Sequence, residues 1–154
     1  MVASALVLAA CGGGGDDDPA AVHPLVADIA PALAAIDADT DLFQVAGTPG
    51  RVELVAQDGA DAVGYTYADG ELSDGEPLGP ASGYTFRPGD VTFDPERVFE
   101  GVTGGLDDPL ITRFEVLGGP GGVLYSAEVL SKAGGTLAID LGPDGTVLGA
   151  APVR

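Results

Sequence analysis

Apolar and polar positions along this chain follow two different periods, and the changes between them mark out its elements. From 22 to 36, Val22, Leu25, Val26, Ile29, Leu33 and Ile36 recur at helical spacing, and Pro31 must either kink that helix or begin a second short one. A second helix is announced by Asp94-Pro95-Glu96-Arg97: an N-cap, a proline at the first helical position and an acid in the first turn. Val98, Phe99, Val102 and Leu106 then share one face, and Gly104-Gly105 is a stop. Elsewhere the alternation has period two. FQVAGTPGRVELVA (43–56) and FEVLGGPGGVLYSA (114–127) each read as a strand, a turn and a returning strand. AVGYTYADGEL and GTLAIDLGPDGTVLGA continue the alternation and turn at Asp69-Gly70 and Asp144-Gly145.

The two hairpin segments resemble each other. Aligned without gaps, seven of fourteen positions are identical, among them Phe43 with Phe114, Val45 with Val116, Gly47 with Gly118 and Val52 with Val123. With a helical stretch before each hairpin, the expected fold is α+β: two tandem helix-plus-antiparallel-meander (αβββ) units, their helices packed on one face of the sheet. The first unit covers 22–72 and the second 94–154, joined by a Gly/Pro-rich linker at 73–93. A unit of about 50–60 residues has only a marginal core, so the two are expected to share one, with their sheets laid edge to edge or packed as two lobes.

The N-terminal pattern is different again. Val2 to Ala10 is apolar, too short to span a bilayer and about the length of a signal-peptide hydrophobic region. It ends Leu8-Ala9-Ala10-Cys11, which resembles the lipobox of bacterial lipoproteins. That resemblance implies a signal peptide at 1–10, cleavage before Cys11 and diacylglycerol on the Cys11 thiol, placing the protein at the cell envelope, extracytoplasmic and anchored to the membrane through that lipid. No Lys or Arg precedes the apolar run, so a start codon upstream of Met1 is expected. Residues 11–21, with Gly12–Gly15 and Asp16–Asp18, read as a tether. Ten such residues reach roughly 16–18 Å.

Composition narrows the function classes. The 154 residues carry 24 acids against six bases, a net charge of -18, which repels phosphate backbones and excludes nucleic acid as a partner. The residues for nucleophilic catalysis are sparse: one histidine, His23, placed to open a helix, and one cysteine, Cys11, assigned to lipid. Ser131-Lys132 reads as a turn. Asp37-Ala38-Asp39-Thr40-Asp41 has the alternating acids of a calcium loop, but the sixth and twelfth positions are Leu42 and Thr48 where glycine and glutamate are needed. No catalytic residue, metal or cofactor is expected, and the chain is read as a non-enzyme. Tyr65 and Tyr67 lie two apart and so share a strand face, and Tyr84 and Phe86 repeat that spacing in the linker. They are candidates for an interaction surface, with core packing as the competing role.

The closing segment Ile139 to Ala150 is similar to that of the PepSY domain, with Ile139, Asp140, Gly145 and Val147 in its apolar-Asp-Gly-Val pattern and Tyr125 in place of its middle-strand tyrosine. The tandem repeat also resembles the architecture of the β-lactamase inhibitory protein family. The PepSY resemblance implies a small extracytoplasmic module. With no catalytic set and a candidate surface, the chain is read as a non-enzymatic, membrane-tethered module that binds or inhibits another envelope protein. The alternative is an extracytoplasmic carrier of a small apolar or lipidic ligand, held between helices and sheet.

Overall fold

The computed structural model describes residues 24–104, 106, 109–130, 132 and 134–153. Cys11, His23 and Ser131 lie outside the described residues, as do the signal-peptide and tether segments. The alternating segments form β1 (Leu42–Thr48), β2 (Arg51–Asp58), β3 (Asp61–Ala68), β4 (Glu71–Leu72), β5 (Glu76–Pro80), β6 (Leu110–Gly119), β7 (Gly122–Leu130), β8 (Thr136–Leu141) and β9 (Val147–Pro152). Among the described residues, helix is confined to α1 (Pro24–Ala27), α2 (Ile29–Ala35) and α3 (Pro95–Thr103), with one 3-10 turn at Pro88–Asp90.

All nine strands belong to one antiparallel sheet in the order β4-β3-β2-β1-β6-β7-β8-β9, with β5 pairing on the outer side of β3 alongside β4. This overturns the expected pair of helix-plus-meander units. The chain is a mostly antiparallel-sheet protein with short helices, and the two similar hairpins are its four central strands. β1 and β6 pair directly, so that Val45 faces Val116, its counterpart in the other segment. Two separate meanders would each expose the unpaired backbone of an edge strand, and joining β1 to β6 satisfies both edges at once. The N-terminal helical pattern also breaks, because α1 and α2 have four and seven residues. Helices so short gain little from their own hydrogen bonds and are held by the apolar face they bury. Pro31 sits in the first turn of α2, where its missing N–H leaves no helical bond unmade.

The helices cover one sheet face. Leu25, Val26 and Ile29 from α1 and α2, and Val98 and Val102 from α3, pack on Val45, Val52, Leu54, Phe114, Val116, Ala127, Val129 and Ile139, all nearly inaccessible to water. Gly47 admits α1 onto the sheet: a Cβ there would run into the carbonyl oxygen of Leu25. The N-cap of α3 forms as its sequence predicts, the Asp94 carboxylate accepting from the N–H groups of Glu96 (3.1 Å) and Arg97 (3.2 Å). Its docking is set by the β8–β9 turn, where the Asp94 N–H donates to the Pro143 carbonyl (3.2 Å).

The 73–93 stretch, expected to link two units, is part of the sheet and core. It supplies β5, and Phe86, only 4% exposed, exchanges both main-chain hydrogen bonds with Leu42 at 2.8 and 2.9 Å. The Tyr125 hydroxyl donates to the Thr92 carbonyl (3.0 Å) and accepts from the Thr92 N–H (3.1 Å), fastening the end of this stretch to β7.

Candidate functional site

The opposite sheet face is the side on which residues alternate with the core positions: Gln44 and Ala46 on β1, Arg51, Glu53 and Val55 on β2, Arg113, Glu115 and Leu117 on β6, Leu124, Ser126, Glu128 and Leu130 on β7. The register places Ala46 between Glu53 and Glu115. With no large side chain at its centre, this row closes over Ala46 as a ladder of charges. The Arg51 guanidinium lies 2.8 Å from Glu53, Arg113 reaches Glu115 at 2.6 Å and Glu53 at 3.8 Å, and the Gln44 amide donates to Glu115 at 2.6 Å. Ala46 is fully buried beneath it, which fits long Arg and Glu side chains laying their aliphatic stems over a small residue.

The ladder is partly withdrawn from water: the Arg113 side chain is 29% exposed and that of Glu115 20%. An isolated exposed ion pair contributes about 0–1 kcal/mol, and an interlocked, half-desolvated set is worth more than its separate pairs. On either side of it lie apolar side chains left in water: Leu124, then Leu110 and Leu130, which face each other across β6 and β7. Beyond β2 a shallow depression of about 490 Å³ runs between Glu53, Val55 and Gly64 and the exposed Leu78 of β5.

The residues expected as an interaction surface are placed elsewhere. Tyr65 and Tyr67 point to the helix-covered face, half-buried against the core, and Phe86 is inside it. Tyr84 alone is well exposed, at 59%, and its backbone lies against Gly118. The four do not form one patch. The Asp37–Asp41 turn carries its own cation: Arg87 lies 3.6 Å from both Asp39 and Asp41. Among the described residues no group of three or more His, Cys, Asp or Glu side chains is arranged to hold a metal.

Two titrating groups are perturbed. Burial pushes the Tyr125 hydroxyl above the ordinary tyrosine value, opposed by its hydrogen bonds with Thr92. The Thr146 N–H, donating at 3.1 Å, holds the Asp144 carboxyl below the usual aspartate value, where it braces the β8–β9 turn.

Sequence reasoning passed over Arg51, Glu53, Arg113 and Glu115. A signal existed: Arg-Val-Glu at 51–53 and Arg-Phe-Glu at 113–115 each put opposite charges two apart, on one strand face. That these two pairs meet across β1 depends on register, which neither motif encodes.

No protein-family model matches this sequence, and no curated protein does. The fold is similar to that of a solved structure described as a putative lipoprotein from Clostridium difficile 630, with a TM-score of 0.57 over 75% of this chain and 84% of that one. At 9% sequence identity that likeness is one of fold.

Proposed function

We propose that this chain is a lipid-anchored extracytoplasmic module that binds another envelope protein through the open face of its sheet and performs no catalysis. The observation that carries this reading is the ladder Arg51–Glu53–Arg113–Glu115–Gln44, a nearly charge-balanced strip on a chain of net charge -18, bordered by the exposed Leu110, Leu124 and Leu130. Such a strip combines preorganised hydrogen-bonding groups with apolar contact area, the mixture that protein interfaces use. The Leu8-Ala9-Ala10-Cys11 sequence supports the anchor, and the description of the fold neighbour agrees with it. Against the carrier alternative stands the space between helices and sheet, which Leu25, Val26, Ile29 and Val102 fill.

Capture of the full chain from a bacterial envelope, with mass spectrometry of proteins and lipids, tests the module. One recurrent protein, lost when Arg113→Glu or Leu124→Arg is the bait, is the expected result. A co-purified lipid with no such protein would make the chain a carrier. For the anchor, a fatty-acid probe should label the wild type and leave Cys11→Ala unlabelled, and equal labelling of the two overturns the lipid assignment.

A further inference from the structure

The two edges of the sheet are finished differently. The outer side of β3 is closed by β4 and β5, which bring Glu71, Glu76, Pro77 and Pro80, with an irregular register between Ala62 and Val63. Between them the Ser73 hydroxyl accepts from the Thr66 N–H at 2.9 Å. These are the devices by which natural sheets refuse further strands. At the other end β9 reads Val-Leu-Gly-Ala-Ala-Pro and has its own irregular register, between Asp140 and Leu141, and its own Pro152, but it carries no charge in a chain of net charge -18, and no described element pairs with its outer side.

The Val153 N–H donates to the Thr136 carbonyl at 2.9 Å. With a period of two, the N–H groups of Ala151 and Gly149 also turn toward β8, and that of Ala150 turns outward. Pro152, also outward, has no N–H, so Ala150 holds the central free donor of the edge.

The surrounding chemistry selects the occupant. On the open face Gly149 lies opposite Asp140 and Ala151 opposite Ala138. The Asp140 carboxylate stands 3.6 Å from where a Cβ of Gly149 would be, leaning over the gap toward the edge. Glu128, paired with Ala138, occupies the next row inward. Neither Asp140 nor Glu128 has an ion-pair partner among the described residues. Because 138, 149 and 151 carry at most a methyl group, nothing bulky separates these carboxylates from a neighbouring strand.

We propose that β9 is the docking edge for an extended basic segment of a partner protein, which joins the sheet as a further strand. A Lys or Arg side chain of that segment crosses Gly149 to Asp140, and Glu128, further inward and opposite Arg113, adds to the negative field that favours a basic partner. Main-chain hydrogen bonds to the Ala150 edge supply the affinity, and the charges supply the selection. A second copy of this chain brings the same net charge and an edge without a base, so it is disfavoured. The inference rests on the reading of the chain as a protein-binding module and names the edge and the partner's chemistry.

The test uses the full chain and a capped, fluorescein-labelled nine-residue peptide alternating Thr and Lys, with a Thr and Glu peptide as control. The Lys peptide should bind and the Glu peptide should not, with slowed amide hydrogen exchange at Ala150. Ala150→Pro, which leaves the β8 pairing intact, should weaken binding about tenfold by removing the outward N–H. Asp140→Lys with Glu128→Lys should reject the Lys peptide and admit the Glu peptide, and this pair keeps the edge backbone whole if Ala150→Pro folds poorly. Protection outside β9, or Lys-peptide affinity unchanged in the charge-reversed variant, overturns the proposal. A wild-type dimer in light scattering that Ala150→Pro dissolves makes a second copy the occupant and overturns it too. If the peptide fails while envelope capture still yields a partner lost in Arg113→Glu, the edge assignment falls and the module reading stands.

Discussion

The two central hairpins carry nearly the same code in different surroundings. Phe43 and Phe114 are counterparts, yet Phe114 is fully buried, its ring 5.4 Å from that of Phe93, and Phe43 is only partly buried, at an irregularity of register between Leu42 and Gln44. Leu54 and Tyr125 are counterparts as well; the first is an inert core residue, and the second carries a hydroxyl that fastens Thr92. Gly47 receives the backbone of α1, and Gly118 receives the backbone of Tyr84. Local sequence made two similar hairpins, and the segments lying over them then gave equivalent positions different duties.

The largest break in this parallel is expected at the aromatic pair. Phe114→Ala should cost about 3–5 kcal/mol by chemical denaturation, in the range for a buried phenylalanine, and Phe43→Ala less than half of that. Equal losses would show that Phe43 is as deeply packed as its counterpart. At the glycine pair, Gly47→Ala and Gly118→Ala should each cost about 1–3 kcal/mol, because the new methyl meets backbone that cannot rotate away. Gly121→Ala, with open space around it, should be nearly silent and serves as the control.

The Leu54/Tyr125 difference should appear in the response to pH. Because the folded Tyr125 pKa lies above the ordinary tyrosine value of about 10, the fold favours the protonated hydroxyl. Its contribution is therefore fully present below that ordinary value and lost as pH rises through the folded pKa. Tyr125→Phe should flatten the alkaline fall in stability while costing about 1 kcal/mol at neutral pH through the lost hydrogen bonds to Thr92. An alkaline profile that matches the wild type would remove Tyr125 from that role.

The smallest effect concerns the two arginines of the ladder. Arg113 bridges Glu53 and Glu115 and is 29% exposed, whereas Arg51 touches only Glu53 and is 55% exposed. Arg113→Ala should cost about 1 kcal/mol, and Arg51→Ala only a few tenths, read from denaturation midpoints at low and high salt. High salt should narrow the gap, because exposed charges are screened.

What the sequence determined was local. Period-two alternation marked the strands of both hairpins, Asp94-Pro95 set the start of α3, and the matched glycines lay where the backbone must be approached closely. Each of these is fixed by residues close in the chain, through pleat, capping and turn geometry. The candidate site was half legible: the Arg-x-Glu pairs at 51–53 and 113–115 were in view, but their meeting over Ala46 was not. Tertiary structure decided that two hairpins would share one sheet through Val45 and Val116, that 73–93 would be strand and core instead of linker, and that Tyr65 and Tyr67 would turn inward. Those outcomes depend on which unpaired backbone edges and apolar faces find each other, and segments far apart in sequence settle them by satisfying hydrogen bonds and excluding water together.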